Sequence, residues 1–306
     1  MDNELHPDLK LLLDFYTQQR STPPEAFAHS QALMSPPTFF SVEKFQQHLN
    51  NPLLTPDWIA VISKGQFVPL EPTHMYKEVQ NKQLFFMDKE LVDQQVSRGA
   101  AVLLEGLDVL DPSINAFAAR LDAVLPCALA NIVAFFSQRG NEAYRGHSDV
   151  DDVLVAQIDG EKRWHLFQRL SRSANRGGLT KAQMGRQIAE VVMRPGDALY
   201  LRAGVPHICE TTGQCSLHVS FDLRDKMPNF KQITVEANNR FANDQAEEYA
   251  QPSAVIQKYV DLLKSEKFQA DVNLAIKQLR HDTQAFRRSI GRTSVVHALD
   301  RFSKRA

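Results

Sequence analysis

Three side chains in this sequence have the types and spacing to hold a redox metal. His147 and Asp149 stand two apart in RGHSDVDDVLVAQIDGEKRWHLF. Residues i and i+2 of an extended strand point to the same side, so both can reach one ion. Sixty positions on, MRPGDALYLRAGVPHICE presents His207 after a Gly204-Val205-Pro206 turn. Two imidazoles and one carboxylate make the facial triad that suits iron(II) and leaves coordination positions open. Zinc fits the same ligands. Asp151 and Asp152 compete for the carboxylate role, and Asp149 is preferred because it shares the parity of His147 and only one residue separates the two. His218 is either a fourth ligand or a satisfied core histidine.

An iron centre with three protein ligands needs an electron source to use O₂. 2-Oxoglutarate can chelate two open positions and leave the third for O₂, and its distal carboxylate then needs a cation deeper in the fold. Lys162 follows His147 by fifteen positions and shares a strand face with Trp164 and Leu166. An ammonium on that face is tolerable if it meets a carboxylate. Arg163 is the rival cation, on the opposite face. Ser216, His218 and Ser220 alternate with Leu217, Val219 and Phe221, which gives a late strand one polar face.

These residues need a frame. The chain has 306 residues, 43% hydrophobic and 23% charged, with a formal net charge of −1. That is globular composition, and its overall charge points to neither nucleic acid nor membrane. No apolar run approaches the ~20 residues of a membrane helix. The start, MDNELHPDLK, lacks the pattern of a signal peptide. Three cysteines (Cys127, Cys209, Cys215) cannot all pair within one chain and form no C-x-x-C clip. A reducing, cytoplasmic compartment is expected.

Residues 1–50 read as mostly helical, broken by Pro23-Pro24 and Pro36-Pro37. Pro56 to Leu70 reads as a hairpin turning at Ser63-Lys64-Gly65-Gln66. MDKELVDQQVSRG is a helix stopped by Gly99, AAVLLEGLDVL a buried strand, and 113–126 an amphipathic helix. From about 129 to 223 short strands dominate. DVLVAQID and KRWHLFQ, flanking Gly160-Glu161, read as a hairpin. Many short strands with turn signals predict a sandwich or barrel, and in a barrel distant strands face one another across the interior. From about 228, three- and four-residue apolar spacing predicts helices. The last 30 residues carry a local net charge of +6, read as a solvated helix face.

The metal segments resemble the JmjC-domain, cupin-like 2-oxoglutarate and iron(II)-dependent oxygenases, in particular the ribosomal oxygenase group. GHSDVDDVLVAQIDGEKRWHLF is similar to that group's H-x-D segment, aliphatic strand and G-[ER]-[KR]-x-W. RPGDALYLRAGVPH resembles its P-G-D-x-L-Y segment ending in histidine, and CSLHVSF its S-x-H-V-[ST] strand. The resemblance spans about residues 56–224. It implies that His147, Asp149 and His207 bind iron and that Lys162 binds the C5 carboxylate of 2-oxoglutarate. It also implies that Ser220 lies near that carboxylate and that Asn131 opens the preceding strand. Val133 stands where the family usually has a tyrosine, and the loop SQRGNEAYRG lacks the usual prolines; Tyr144 is the candidate to compensate.

The expected fold class is α+β. A double-stranded β-helix with N-terminal helical elaboration occupies residues 1–227, and a helical region, 228–306, serves for homodimerisation. The expected activity is hydroxylation of an unactivated C–H bond on a protein side chain, with Fe(II), 2-oxoglutarate and O₂. Two alternatives stand beside it: a hydroxylase of a free amino acid or other small molecule, and a non-enzymatic metal-binding cupin. Lys162 speaks against the last, since a simple binding barrel has no use for a buried cation.

Overall fold

The computed structural model describes residues 5–70, 73–79, 82–124, 130–138, 145–170, 176–223, 257, 260–261 and 263–289. The chain divides into two compact units, Met1–Val124 with Ala130–Arg224, and Leu125–Leu129 with Asp225–Ala306.

In the first unit, helix α1 (Pro7–Ser21) starts on a proline, which fits a first turn that needs no N–H there. Leu9, Leu12, Phe15 and Tyr16 recur at three- and four-residue steps and are buried. The Asp8 carboxylate accepts hydrogen bonds from Thr38 N, Thr38 Oγ1 and Phe39 N at 2.6, 2.8 and 3.2 Å, so one side chain ties the helix start to the segment 38–39. Residues 1–50 are less helical than the sequence predicts. Strand β1 (Phe27–Ser30) lies between α1 and α2 (Val42–Leu49). Pro23-Pro24 stops the first helix, and Phe27–Ser30 finds backbone partners at the edge of the sheet.

Strands β2 (Ile59–Ser63) and β3 (Gln66–Val68) form the expected hairpin. Lys64 and Gly65 both take positive φ, 52° and 72°, the signature of a type I′ turn. Strands β4 (Thr73–Val79) and β5 (Lys82–Phe86) pair separately. Helix α3 (Lys89–Ser97) is capped by Asp88 and ends before Gly99 at φ 89°. Strand β6 (Ala101–Leu104) is shorter than expected. The chain turns at Gly106, φ 62°, into the helical turn α4 (Leu107–Leu110) and then α5 (Pro112–Val124).

The remaining strands are β7 (Ala130–Gln138), β8 (Gly146–Ser148), β9 (Asp152–Phe167), β10 (Arg176–Leu179), β11 (Gln187–Met193), β12 (Ala198–Leu201) and β13 (His207–Leu223), with helix α6 (Lys181–Met184) before β11. All pairings are antiparallel, and the main sheet runs β1-β12-β9-β13-β7-β6-β2-β3. The expected hairpin at Gly160-Glu161 is not present. The two halves of β9 do not pair with each other; both pair with β13, Lys162 to Leu166 opposite Thr211 to His207, and Asp152 to Gly160 opposite Leu223 to Ser216. The register breaks between Thr211 and Ser216. Gly160, at φ 64°, meets the Cys215 carbonyl so closely that no Cβ fits, so β9 bends there instead of reversing.

The bend folds the strand over a shared core. Val153 and Val155 from its first half pack in one cluster with Trp164 and Leu166 from its second, together with Val191, Met193, Leu199 and Leu201. This is the double-stranded β-helix, and the α+β class follows from the helices before the barrel. In the second unit, α7 (Glu266–Ser289) is helical as its periodicity predicts. Helical spacing places Val255, Tyr259, Leu262 and Leu263 near one face, a candidate dimer face; the first three lie outside the described residues, and Leu263 is 42% exposed.

Asp111 anchors α5. Its Oδ1 accepts from Ser113 N and Ile114 N at 2.8 and 3.2 Å, and its Oδ2 faces His48 Nε2 at 3.4 Å and Lys44 Nζ at 3.5 Å. Burial pushes this carboxyl up, but the His48 bond, the Lys44 charge and the two N–H groups outweigh it and hold the pKa at about 2. A pKa below the unfolded value of 3.8 stabilises the fold above that pH, and the contribution is lost as pH falls through about 2. Asp111→Ala is therefore expected to cost about 1–2 kcal/mol at pH 7. Denaturant melts of both proteins at pH 7 and pH 2 check this. A gap that does not shrink at the lower pH contradicts the assignment.

Candidate metal centre and its cavity

β8 carries His147, the bend after it carries Asp149, and β13 begins at His207, which pairs directly with His147. Their ligand atoms all lie within 4.8 Å of one another. Asp149 Oδ1 is 3.9 Å from His147 Nε2, and its Oδ2 is 3.8 Å from His207 Nε2. The rings sit 4.2 Å apart, tilted by 59°. Each imidazole is oriented from behind: His147 Nδ1 lies 3.0 Å from Arg145 O, and His207 Nδ1 lies 3.1 Å from Val205 O. A carbonyl only accepts, so both Nδ1 atoms carry the proton and both Nε2 lone pairs face Asp149. Burial, followed by the neighbouring His147, pushes the pKa of His207 well below its ordinary value. That leaves it neutral, the form that binds metal.

Of the two competing carboxylates, Asp151 takes no part in the cluster and Asp152 is occupied. Asp152 accepts from Tyr200 OH at 2.5 Å and Ala203 N at 2.7 Å, and takes no part in the cluster. His218 also lies outside the cluster. It is 4% exposed, stacks on Phe135 at 4.8 Å and meets Trp164 edge-on at 5.7 Å. Burial, then Lys162 and His207, lower its pKa, so it is a neutral ring.

All seven residues expected at the site line one cavity of about 470 Å³: His147, Asp149, His207, Lys162, Ser220, Asn131 and His218. Alternation along the strands puts them there. Asn131, Val133 and Phe135 face inward from β7, and His218, Ser220 and Asp222 from β13. Val133, in the position where a tyrosine was expected, lines the wall. Tyr144 lies outside the described residues.

Lys162 is 1% exposed. Its Nζ donates to Ser137 Oγ at 2.7 Å, and Ser137 Oγ lies 2.7 Å from Thr211 Oγ1. The acceptors are neutral hydroxyls, and no carboxylate pairs with the ammonium among the described residues. Burial lowers its pKa to about 8 despite the opposing Cys209. Cys209 is itself pushed up to about 12 by burial, so it stands as a neutral thiol and supplies no negative charge. Arg163 points outward, 3.2 Å from Glu190 and 3.0 Å from Glu210. The sequence reading missed Ser137 and Thr211. The signal was available, since Ser137 shares the parity of Asn131 and Thr211 that of His207.

A histidine–carboxylate–histidine cluster opening on the interior of a double-stranded β-helix defines the cupin class of metal-binding barrels. Residues 109–232 match the family model of the JmjC domain. Over 99 residues it is 30% identical to the bifunctional lysine-specific demethylase and histidyl-hydroxylase NO66 of Aedes aegypti, covering 30% of this chain and 15% of that protein. Over 132 residues it is 26% identical to ribosomal oxygenase 1 of Gallus gallus, covering 40% and 22%. The matched stretch therefore spans less than a quarter of these relatives' length. The structure of ycfD from Escherichia coli superposes with a TM-score of 0.53 at 12% identity, covering 86% of this chain and 67% of that one. The complex of that ribosomal oxygenase with cobalt and 2-oxoglutarate gives 0.53 at 12%, covering 83% and 68%.

An ammonium buried without a counter-charge lowers stability. The folded pKa, about 8, lies below the unfolded value of 10.5. Below pH 8 both states are protonated and the penalty is fully present; it fades as pH rises from 8 to 10.5. Lys162→Met is expected to stabilise the ligand-free protein by about 1–3 kcal/mol at pH 7, with the gap closing by pH 10. Chemical denaturation at the two pH values checks this, and a variant less stable than the wild type at pH 7 contradicts it.

Proposed function

We propose that this chain is an iron(II)- and 2-oxoglutarate-dependent oxygenase that hydroxylates a protein side chain. One observation carries the reading. Lys162 holds a buried ammonium with no counter-charge among the described residues, in the same cavity as the His147–Asp149–His207 cluster. A cavity that joins three metal-ligating side chains to an ammonium bonded only to a neutral hydroxyl among the described residues is matched to an anion that also chelates metal. 2-Oxoglutarate has that chemistry, a 2-oxo acid at one end and a carboxylate at the other. The ribosomal oxygenase group and the cobalt and 2-oxoglutarate complex of ycfD support the same reading and favour a polypeptide substrate.

His147, Asp149 and His207 would hold the iron. When bound, iron with 2-oxoglutarate and O₂ supplies the oxidising power that converts a C–H bond to C–OH, with succinate and CO₂ as the other products. The residues of the chain position and shield. Lys162 anchors the C5 carboxylate by charge-assisted hydrogen bonds, and Ser137 keeps the ammonium in place meanwhile. Asn131, Ser220 and His218 add polar contacts to the cosubstrate wall. Leu103, Val133, Phe135, Val153 and Leu201 exclude water from the rest of the cavity, which strengthens each electrostatic contact inside it.

The domain reading belongs to the same proposal, with the oxygenase domain in residues 1–227 and a helical region in 228–306 that joins two copies of the chain in the cytoplasm. The exposed Leu263 and Leu274 support the dimer.

The test is turnover with candidate polypeptides, scored by succinate release and a mass increase of about 16 Da for one added oxygen atom. His147→Ala and His207→Ala are each expected to abolish both signals and iron retention. Lys162→Met is expected to raise KM for 2-oxoglutarate at least about 100-fold with iron affinity nearly unchanged, since losing one partner of a buried charge pair costs about 3–5 kcal/mol. Arg163→Ala, on the outer face, is expected to leave KM for 2-oxoglutarate within about twofold. Normal turnover in either histidine variant defeats the proposal. Hydroxylation of a free amino acid but no polypeptide moves the substrate class to small molecules.

A further inference from the structure

The two ligand-bearing segments come from distant parts of the chain, and the structure shows what joins them. His207 follows a tight turn, 202–206, and the His147–Asp149 pair precedes β9. The turn is buried: Ala203 is 0% and Val205 2% exposed. Buried backbone needs partners. Gly204 N donates to Asp149 O at 2.7 Å, Leu170 N to Gly204 O at 2.7 Å, Phe167 N to Pro206 O at 2.9 Å, and Arg169 Nε to Ala203 O at 2.8 Å. Ala203 N is satisfied by a side chain. It donates to Asp152 Oδ1 at 2.7 Å, while Asp152 Oδ2 accepts from Tyr200 OH at 2.5 Å.

Asp152 thus closes a bracket. It opens β9, three residues after Asp149, and grips the turn that leads into His207. Tyr200 holds its other oxygen, and burial with the adjacent carboxylate pushes that phenol far up, so it remains a donor. Tyr200 is 2% exposed and packs on Tyr16 of α1 at 6.1 Å, so the bracket is backed by the N-terminal helix.

We propose that Asp152 is a positioning residue: by fixing the 202–206 turn against the His147–Asp149 segment, its carboxylate sets where His207 stands and hence how tightly the centre binds metal. This rests on reading His147, Asp149 and His207 as the metal ligands. Asp152 touches none of the three and supplies no ligand atom. Its effect reaches the metal only through the placement of His207.

The experiment titrates cobalt(II) into the full-length, metal-free protein without oxygen. It reads affinity by chelator competition, coordination by the visible absorption of cobalt, and folding by circular dichroism. Asp152→Ala is expected to lose about 10–100-fold in cobalt affinity, the range for residues that orient metal ligands, with a changed absorption spectrum in a folded protein. Asp152→Asn keeps an oxygen for Ala203 N and is expected to stay within about threefold of wild type with the native spectrum. Wild-type affinity and spectrum in Asp152→Ala overturn the proposal. An equal loss in Asp152→Asn also overturns it, since charge and not the bracket would then matter. If Asp152→Ala does not fold, Tyr200→Phe decides. Removing the hydroxyl that holds Oδ2 is expected to weaken cobalt binding about 3–10-fold, and no change overturns the proposal. His147→Ala separates the two levels. If it keeps wild-type cobalt affinity, the ligand reading fails. If it loses cobalt while Asp152→Ala does not, the positioning inference alone fails.

Discussion

The antiparallel ladder between β9 and β13 is the constraint on which the rest of this structure depends. It runs from Leu166 opposite His207 to Asp152 opposite Leu223, with its register shifted between Thr211 and Ser216 and again between Leu217 and His218. Along it, alternation decides which side chains enter the barrel. Lys162, Trp164 and His207 lie inside, as do His218 and Ser220 beyond the bend. Arg163, His165 and Glu210 lie outside, where Arg163 forms ion pairs with Glu190 and Glu210 and the His165 ring nitrogens lie 3.5 and 3.4 Å from the same two carboxylates. One ladder therefore delivers a candidate metal ligand, the buried ammonium proposed to anchor the cosubstrate, and several wall residues to a common space.

That space is built against the usual economy of a protein interior. A core gains stability by burying apolar surface, at roughly 25 cal/mol per Å². Here the central positions hold three imidazoles, a carboxylate, an ammonium and several hydroxyls. The structure limits this loss by giving three of these groups neutral partners: carbonyls behind His147 and His207, and the Ser137–Thr211 pair behind Lys162. Neutral partners orient without cancelling charge. The ammonium keeps its field for a ligand, and the Nε2 lone pairs stay directed at Asp149. An ion pair at Lys162 would stabilise the empty barrel and weaken its hold on a carboxylate.

Much of the site was legible in the sequence because its signals are local. The two-residue spacing of His147 and Asp149, the turn before His207, and the placement of Lys162 on the face of Trp164 and Leu166 each reflect strand geometry. The errors are equally instructive. Gly160-Glu161 looks like a hairpin turn, yet β9 continues through it, because the partner that fills its edge is β13, some 50 residues away. LDVL has the apolarity of a strand and forms a helical turn, because Gly106 reverses the backbone before it. β1 lies in a stretch read as helical, and only the exposed edge of β12 makes it a strand. Asp152 looked like a rival ligand. Its partners are Tyr200 and a backbone N–H of Ala203, 48 and 51 positions away, and no local pattern announces such a bond.

The bend at Gly160 also bears on how the chain reaches this state. A one-residue slip of β9 against β13 would turn Glu161, Arg163 and His165 into the barrel and expose Trp164 and Leu166. Such a slip would also move Gly160 away from the Cys215 carbonyl and bring a residue with a Cβ against it, where none fits. Mispaired intermediates are thus penalised twice, by burying charge and by collision, before any ligand is present. The glycine acts as a register pin: it rejects shifted pairings during folding, so the polar interior that function requires does not leave the barrel a choice of partners.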